Sequence, residues 1–258
     1  MAAGDRHVPD WRDAAAFRPL LDADRSLLAW EWLRRDPGYR AAAENAIDAG
    51  NGDASRPGET PERWGLHRFE RPELALPGAR PVWCSAVHPY VLTVEAGPPE
   101  SDDVFDLERL AAITTLVMAA NGREHLLISD GFQAIRIDVL AGTVAAGPVE
   151  LRYRLAGFAS AERPLQTLRR LVALWRTGRF CRSLHPRDTR ARRWILMLRA
   201  HDALAAGADQ RDIAAELLSA EAGERRWRSH CPSLRSQAQR LVRSARRMAS
   251  GGFFELLL

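Results

Sequence analysis

Residues 233–250, SLRSQAQRLVRSARRMAS, carry five arginines and neither a lysine nor an acidic residue. Guanidinium groups at that density suit a polyanion. Their planar forks reach phosphate oxygens or the O6/N7 edge of guanine, and an interleaved glutamine can pair with adenine. Turned through about 100° per residue, Leu234, Ala238, Leu241, Val242, Ala245 and Met248 gather on an arc of roughly 120°. Arg235, Gln239, Arg240, Arg243, Arg246 and Arg247 share the remaining arc with Gln237, Ser236 and Ser244. One face is built to pack and the other is cationic. The bland alternative is an arginine-rich solvated helix in a protein whose 37 basic residues are all arginine. Against it, the segment has none of the acidic partners three or four residues away that such a helix carries.

The stretch just before it reads as the opening of a helix-turn-helix. In AHDALAAGADQRDIAAELL a helix ends at Gly207, a short turn follows, and Asp209 caps a second helix with Ile213, Ala214 and Leu217 inward. A small residue at Ala214 lets two helices cross closely. Gln210 and Arg211 open that second helix and are further candidates for DNA contact. The spacing departs from the ordinary motif, because residues 219–232 separate Leu218 from the basic helix where three or four would be usual. Either the motif is an elongated variant, or residues 224–229, with Arg225, Arg226 and Arg228 around Trp227, supply the reading element.

Other chemistry-bearing pairs carry less. His230-Cys231, Cys181 with His185, and His201-Asp202 lack the second ligand pair that a zinc site of about four ligands requires, so no metal site is expected. AGNGDASRPG has no following Lys-Ser/Thr and no adjoining strand, so no phosphate loop, cofactor or enzymatic activity is expected. The tryptophans Trp11, Trp30, Trp32, Trp175 and Trp194 read as core or contact residues rather than base-stacking platforms. Cys84, Cys181 and Cys231 are odd in number and irregular in spacing, which suggests a reduced, cytoplasmic protein, and no apolar run reaches bilayer length.

Charge is distributed unevenly along the 258 residues. Residues 1–151 hold 15 Arg against 24 Asp and Glu, and residues 152–258 hold 22 against 9. The acidic half begins with a helix, DADRSLLAWEWLRRDPGYR, capped by Asp24 or Ser26 and stopped at Asp36-Pro37-Gly38. Residues 48–63 are rich in Gly, Pro and acid and read as a linker. VWCSAV, YVLTVEA, ITTLVMA, HLLISD, FQAIRIDV and VELRYRLAGF then predict an antiparallel meander of five or six strands, with Asn121-Gly122 as a tight hairpin turn. Pro164 is expected to open the next helix, with Leu165, Leu168, Val172 and Trp175 on one stripe, and Gly178 to close it. A helix with Trp194, Met197, Leu198 and Leu204 inward follows.

The run from RTGRFCRSLHPRDTRARRWILMLRAHD to RRMASGGFFELL resembles the C-terminal domain of a proteobacterial family of unknown function, and DWRDAAAFRPLLDADRSLLAWEWLRRDPGYR resembles the short N-terminal domain often fused to it. The two-domain form is similar to the FseA-type transcriptional activators of integrative and conjugative elements. That resemblance implies a variant helix-turn-helix and regulation of excision and transfer genes; single-domain relatives act as antiactivators. The expectation is therefore an α+β protein: a helical N-terminal domain over residues 1–60, an antiparallel β-meander over 61–160, and a helical variant helix-turn-helix domain over 161–258. Its expected partners are double-stranded DNA and, for the acidic half, RNA polymerase or a small antiactivator protein. The alternative is an antiactivator that binds another regulator without binding DNA.

Overall fold

The computed structural model describes residues 8–48, 60–223 and 232–258. In chain order its elements are α1 (Ala14–Phe17), α2 (Arg25–Leu33), α3 (Pro37–Asp48), β1 (Leu92–Gly97), β2 (Thr114–Met118), β3 (Glu124–Ser129), β4 (Ala134–Ala141), β5 (Glu150–Tyr153), α4 (Phe158–Thr177), α5 (Ala191–Ala205), α6 (Gln210–Leu217) and α7 (Pro232–Ala249). The fold is α+β. Its contacts form two units, a sheet unit of Asp24–Pro186 with Leu256–Leu258 and a helical unit of Met1–Ala23 with Arg187–Glu255.

The sheet unit is built on five strands in the order β2-β3-β4-β1-β5. β2, β3 and β4 form an antiparallel meander, and Gly122, at φ 79°, makes the turn between its first two strands. β1 then lies parallel to β4, and β5 antiparallel to β1. The sheet is therefore mixed, not the wholly antiparallel meander expected from the sequence. Alternating side chains report burial but not strand direction, and the chain leaves β1 to begin the meander at the far edge. VWCSAV is not a strand either: it contributes one isolated bridge, Leu66 with Trp83.

β3 is buried along its whole length because both faces of the sheet are covered. Leu126 and Ile128 of β3 join Ile135, Ile137 and Val139 of β4 in the core that Leu171 and Leu174 of α4 also enter. On the opposite face Leu127 and Ala134 meet Leu27 and Val82. α2 and α3 are fixed to the segment that follows them: Trp30 Nε1 donates to Leu74 O (2.8 Å), Tyr39 Oη to Glu70 O (2.7 Å) and Trp83 Nε1 to Ser26 O (2.9 Å). Within α2, the buried Glu31 accepts from Arg34 Nε (2.7 Å), Arg35 Nη1 (2.6 Å) and Leu76 N (3.0 Å). Burial pushes its carboxyl up, but the two guanidiniums outweigh that and hold it below the usual carboxylate range. His88 Nδ1 lies 3.1 Å from Leu257 O, tying the last residues of the chain to this unit.

α4 begins earlier than expected, at Phe158 after Gly157, and carries Pro164 inside it. Its buried side chains are Thr167, Leu171 and Leu174, with Leu168 and Trp175 beside them. Leu165 and Val172, expected on the buried stripe, face solvent instead, because the helix presents the neighbouring row to the sheet.

In the helical unit, Trp11, Phe17 and Leu20 are buried, and Arg199 of α5 donates to Trp11 O (2.8 Å) and Arg12 O (3.1 Å). The units thus cut across the three consecutive segments read from the sequence. Residues 8–23 group with the C-terminal helices through these contacts, and α4 groups with the sheet.

Candidate nucleic-acid interface

α7 is a helix for local reasons as well as tertiary ones. Its 18 residues contain no glycine and no proline after the first, and Arg246 and Arg247 lie in its last turn, where cations meet the negative end of the helix dipole. It ends at Ser250-Gly251-Gly252. Gly251 sits at φ 96°, and a Cβ on Gly252 would come within 2.6 Å of Arg247 O. Leu234, Ala238, Leu241, Val242, Ala245 and Met248 are all buried. Ala238 and Ala245 are fully covered, which lets neighbouring helices approach closely. α5 packs along α7, and α6 packs on its first half, where Ala214 meets Leu234 and Ala238.

With that face occupied, Arg235, Arg240, Arg243, Arg246 and Arg247 are left exposed, and Gln239 is half-buried among them. Among the described residues only Arg247 of the five has a carboxylate partner, Glu255, and that pair is itself open to water. Arg235, Gln239, Arg243 and Arg246 fall on one edge of the exposed arc and Arg240 and Arg247 on the other. From Arg235 to Arg246 the row is roughly 16 Å long at the helical rise. Gln210 and Arg211 stand in the first turn of α6, whose start is secured by a capping box between Asp209 and Asp212. The alternative reading element, residues 224–229, lies outside the described residues.

Of the pairs set aside in the sequence, Cys181 with His185 and His201-Asp202 lie among the described residues. Cys181 Sγ lies 3.1 Å from Ser183 Oγ, while His185 is buried edge-on to Phe180. Asp202 is buried in α5, beside the half-buried His201. His230 and Cys231 lie outside the described residues.

The structure brings together one group that sequence proximity could not indicate. His67, His125 and Asp138 come from three separate elements, and their ligand atoms lie within 4.8 Å of one another. The signal for it is the β3–β4 register, which pairs His125 directly with Asp138. His125 Nδ1 is 2.7 Å from Asp138 Oδ1, which also accepts from Arg136 Nη2 (2.8 Å). Burial pushes the Asp138 carboxyl up, but these two partners outweigh it and hold it at about 2. Burial, with the nearby His125 and Arg136, pushes His67 down to about 4. The His67 and His125 rings are stacked, 3.5 Å apart and 15° from parallel. An ion about 2.1 Å from a nitrogen of each ring would lie far out of both ring planes, away from the lone pairs. The fully buried Arg136 also bonds to Trp83 O (2.8 and 3.0 Å), so the group acts as a hydrogen-bonded tie between the sheet and the segment before it.

A helical unit whose last helix packs on one side and turns five guanidiniums outward on the other has the surface chemistry of the class of proteins that bind polyanions. Comparison with protein families narrows that class. Residues 155–258 match a family described as a type VI secretion (T6SS) transcription factor DNA-binding domain, and residues 10–69 match a proteobacterial transcriptional regulator-like domain. Together the two matches support a DNA-binding transcription regulator, and both families are regulators rather than enzymes. No curated protein matches the chain. No helix among the described residues is long and apolar enough to cross a membrane.

Proposed function

We propose that this protein is a sequence-specific activator of transcription that binds double-stranded DNA through the exposed face of α7. Arg235, Gln239, Arg243 and Arg246 meet base edges in the major groove, Arg240 and Arg247 meet the flanking phosphates, and Gln210 and Arg211 of α6 add contacts, in the manner of a variant helix-turn-helix. The observation that carries this reading is the set of exposed arginines on a helix whose opposite face is fully packed, within the span that matches a DNA-binding domain. The regulated genes are those for excision and transfer of a mobile element. That assignment rests on the resemblance of both ends of the chain to activators of such elements. The acidic N-terminal half engages RNA polymerase or an antiactivator.

Capture of sheared genomic DNA by the purified full-length chain, followed by sequencing, tests the proposal. Enrichment of fragments sharing one motif is expected. Recovery of all fragments alike would remove the sequence-specific reading, and recovery of none would favour the antiactivator that binds a protein instead.

A further inference from the structure

α4 is apolar on two sides. Its inner row enters the sheet core through Leu171 and Leu174, and its outer face carries the exposed Phe158, Leu165 and Val172 beside the charged Glu162, Arg169 and Arg176. Phe158 is 103% exposed, Leu165 38% and Val172 43%. These residues recur every seven positions, so they form a single stripe along a helix about 30 Å long. A row of outward apolar side chains on a rigid helix marks an interaction surface rather than scattered exposure.

The charges beside the stripe identify what covers it. Glu162 and Arg169 are both exposed, stand seven residues apart on one flank of Leu165, and have no ion-pair partner among the described residues. A two-fold axis beside Leu165 sets two α4 helices antiparallel. Phe158 then faces Val172 of the second copy, Leu165 faces Leu165, and Glu162 comes beside Arg169 of the second copy twice over. The stripe and its charges are thus self-complementary. We propose that α4 is the contact through which a second copy of this chain binds, as an isologous, antiparallel dimer. One helix falls short of the roughly 800 Å² per partner of a standard interface, so the association is weak and depends on concentration. It does not require DNA and is measured without it.

Sedimentation of the full-length chain at rising micromolar concentration reports the dimer directly. Glu162→Arg alone and Arg169→Glu alone each place two like-charged pairs across the axis and should weaken self-association at least about tenfold. Mixing the two variants restores both opposite-charge pairs, so the mixture should form a heterodimer although neither component dimerises by itself. The double variant Glu162→Arg/Arg169→Glu should dimerise like the unmodified chain. All three substituted proteins should melt as the unmodified chain does, since both side chains are exposed. A chain that stays monomeric throughout, single variants that dimerise as well as the parent, or a mixture that fails to pair would each overturn the proposal.

Discussion

Removing one phosphate-facing arginine from α7 should change the salt dependence of DNA binding by a predictable amount. Each phosphate neutralised releases counterions, and the logarithm of affinity falls with the logarithm of salt at a slope of about −0.9 per contact on duplex DNA. Of the five arginines that α7 exposes, Arg240 and Arg247 form the set placed against phosphates. The Arg247–Glu255 pair does not remove Arg247 from that set, because an ion pair so open to water holds its partner weakly. Two phosphate contacts give a slope of about −1.8, which is a loss of affinity of roughly 12-fold between about 50 and 200 mM salt. Arg240→Ala leaves a slope of about −0.9 and a loss of roughly 3.5-fold over the same range, with binding weakened alike on all duplexes. The assay is fluorescence anisotropy of a labelled duplex titrated with the full chain at several salt concentrations. Thermal melting of both proteins should coincide, because Arg240 faces solvent and bonds to nothing that holds the fold. An unchanged slope in Arg240→Ala, or a parent slope near zero, would refute the reasoning.

Three further outcomes are expected. Arg243→Ala and Gln239→Ala should cost about 1–3 kcal/mol on the preferred duplex and little on an unrelated one, so that anisotropy competition shows a narrowed preference; equal losses on both would reassign these residues to the backbone. Glu31→Ala should destabilise the fold by about 3–5 kcal/mol in denaturant unfolding, since it removes the carboxylate that neutralises the buried Arg34 and Arg35 guanidiniums; a change within error would mean that water reaches them. Stability should decline as pH falls from about 6.5 to about 4. His67 and His185 are both pushed down to about 4, so the unfolded chain takes up their protons first and their contribution is complete only above the unfolded value. With His185 buried and His67 half-buried, the combined loss is on the order of 2 kcal/mol by pH 4.5. Asp138, held at about 2, adds a second loss only as pH falls from about 4 toward 2. A melting temperature that is flat from pH 7 to 4.5 would contradict this.

The face of α7 was legible in the sequence because burial on a lone amphipathic helix follows from a 3.6-residue period alone, and the six side chains on the apolar arc are the six the structure buries. The period was not enough for α4. That helix carries two apolar rows, and only the sheet beneath it decides that Leu171 and Leu174, not Leu165 and Val172, turn inward. Strand positions from β1 to β5 followed from β-branched runs and turn residues, whereas the parallel pairing of β1 with β4 is a long-range choice that alternation does not encode. The His67–His125–Asp138 group was hidden for the same reason, since its members meet only once β3 and β4 are in register. The grouping of Trp11 and Phe17 with the C-terminal helices was equally out of reach, because a tryptophan in sequence announces a partner surface without naming it.

The central claim, that the exposed face of α7 reads double-stranded DNA, is tested most directly by genomic capture with two proteins in parallel. These are the full-length chain and a variant with Arg235, Arg240, Arg243, Arg246 and Arg247 all replaced by glutamine, matched for melting temperature. The account predicts that the parent enriches fragments sharing one sequence motif and that the variant enriches none. Equal enrichment of the same motif by both proteins would contradict it and move the reading surface elsewhere on the chain.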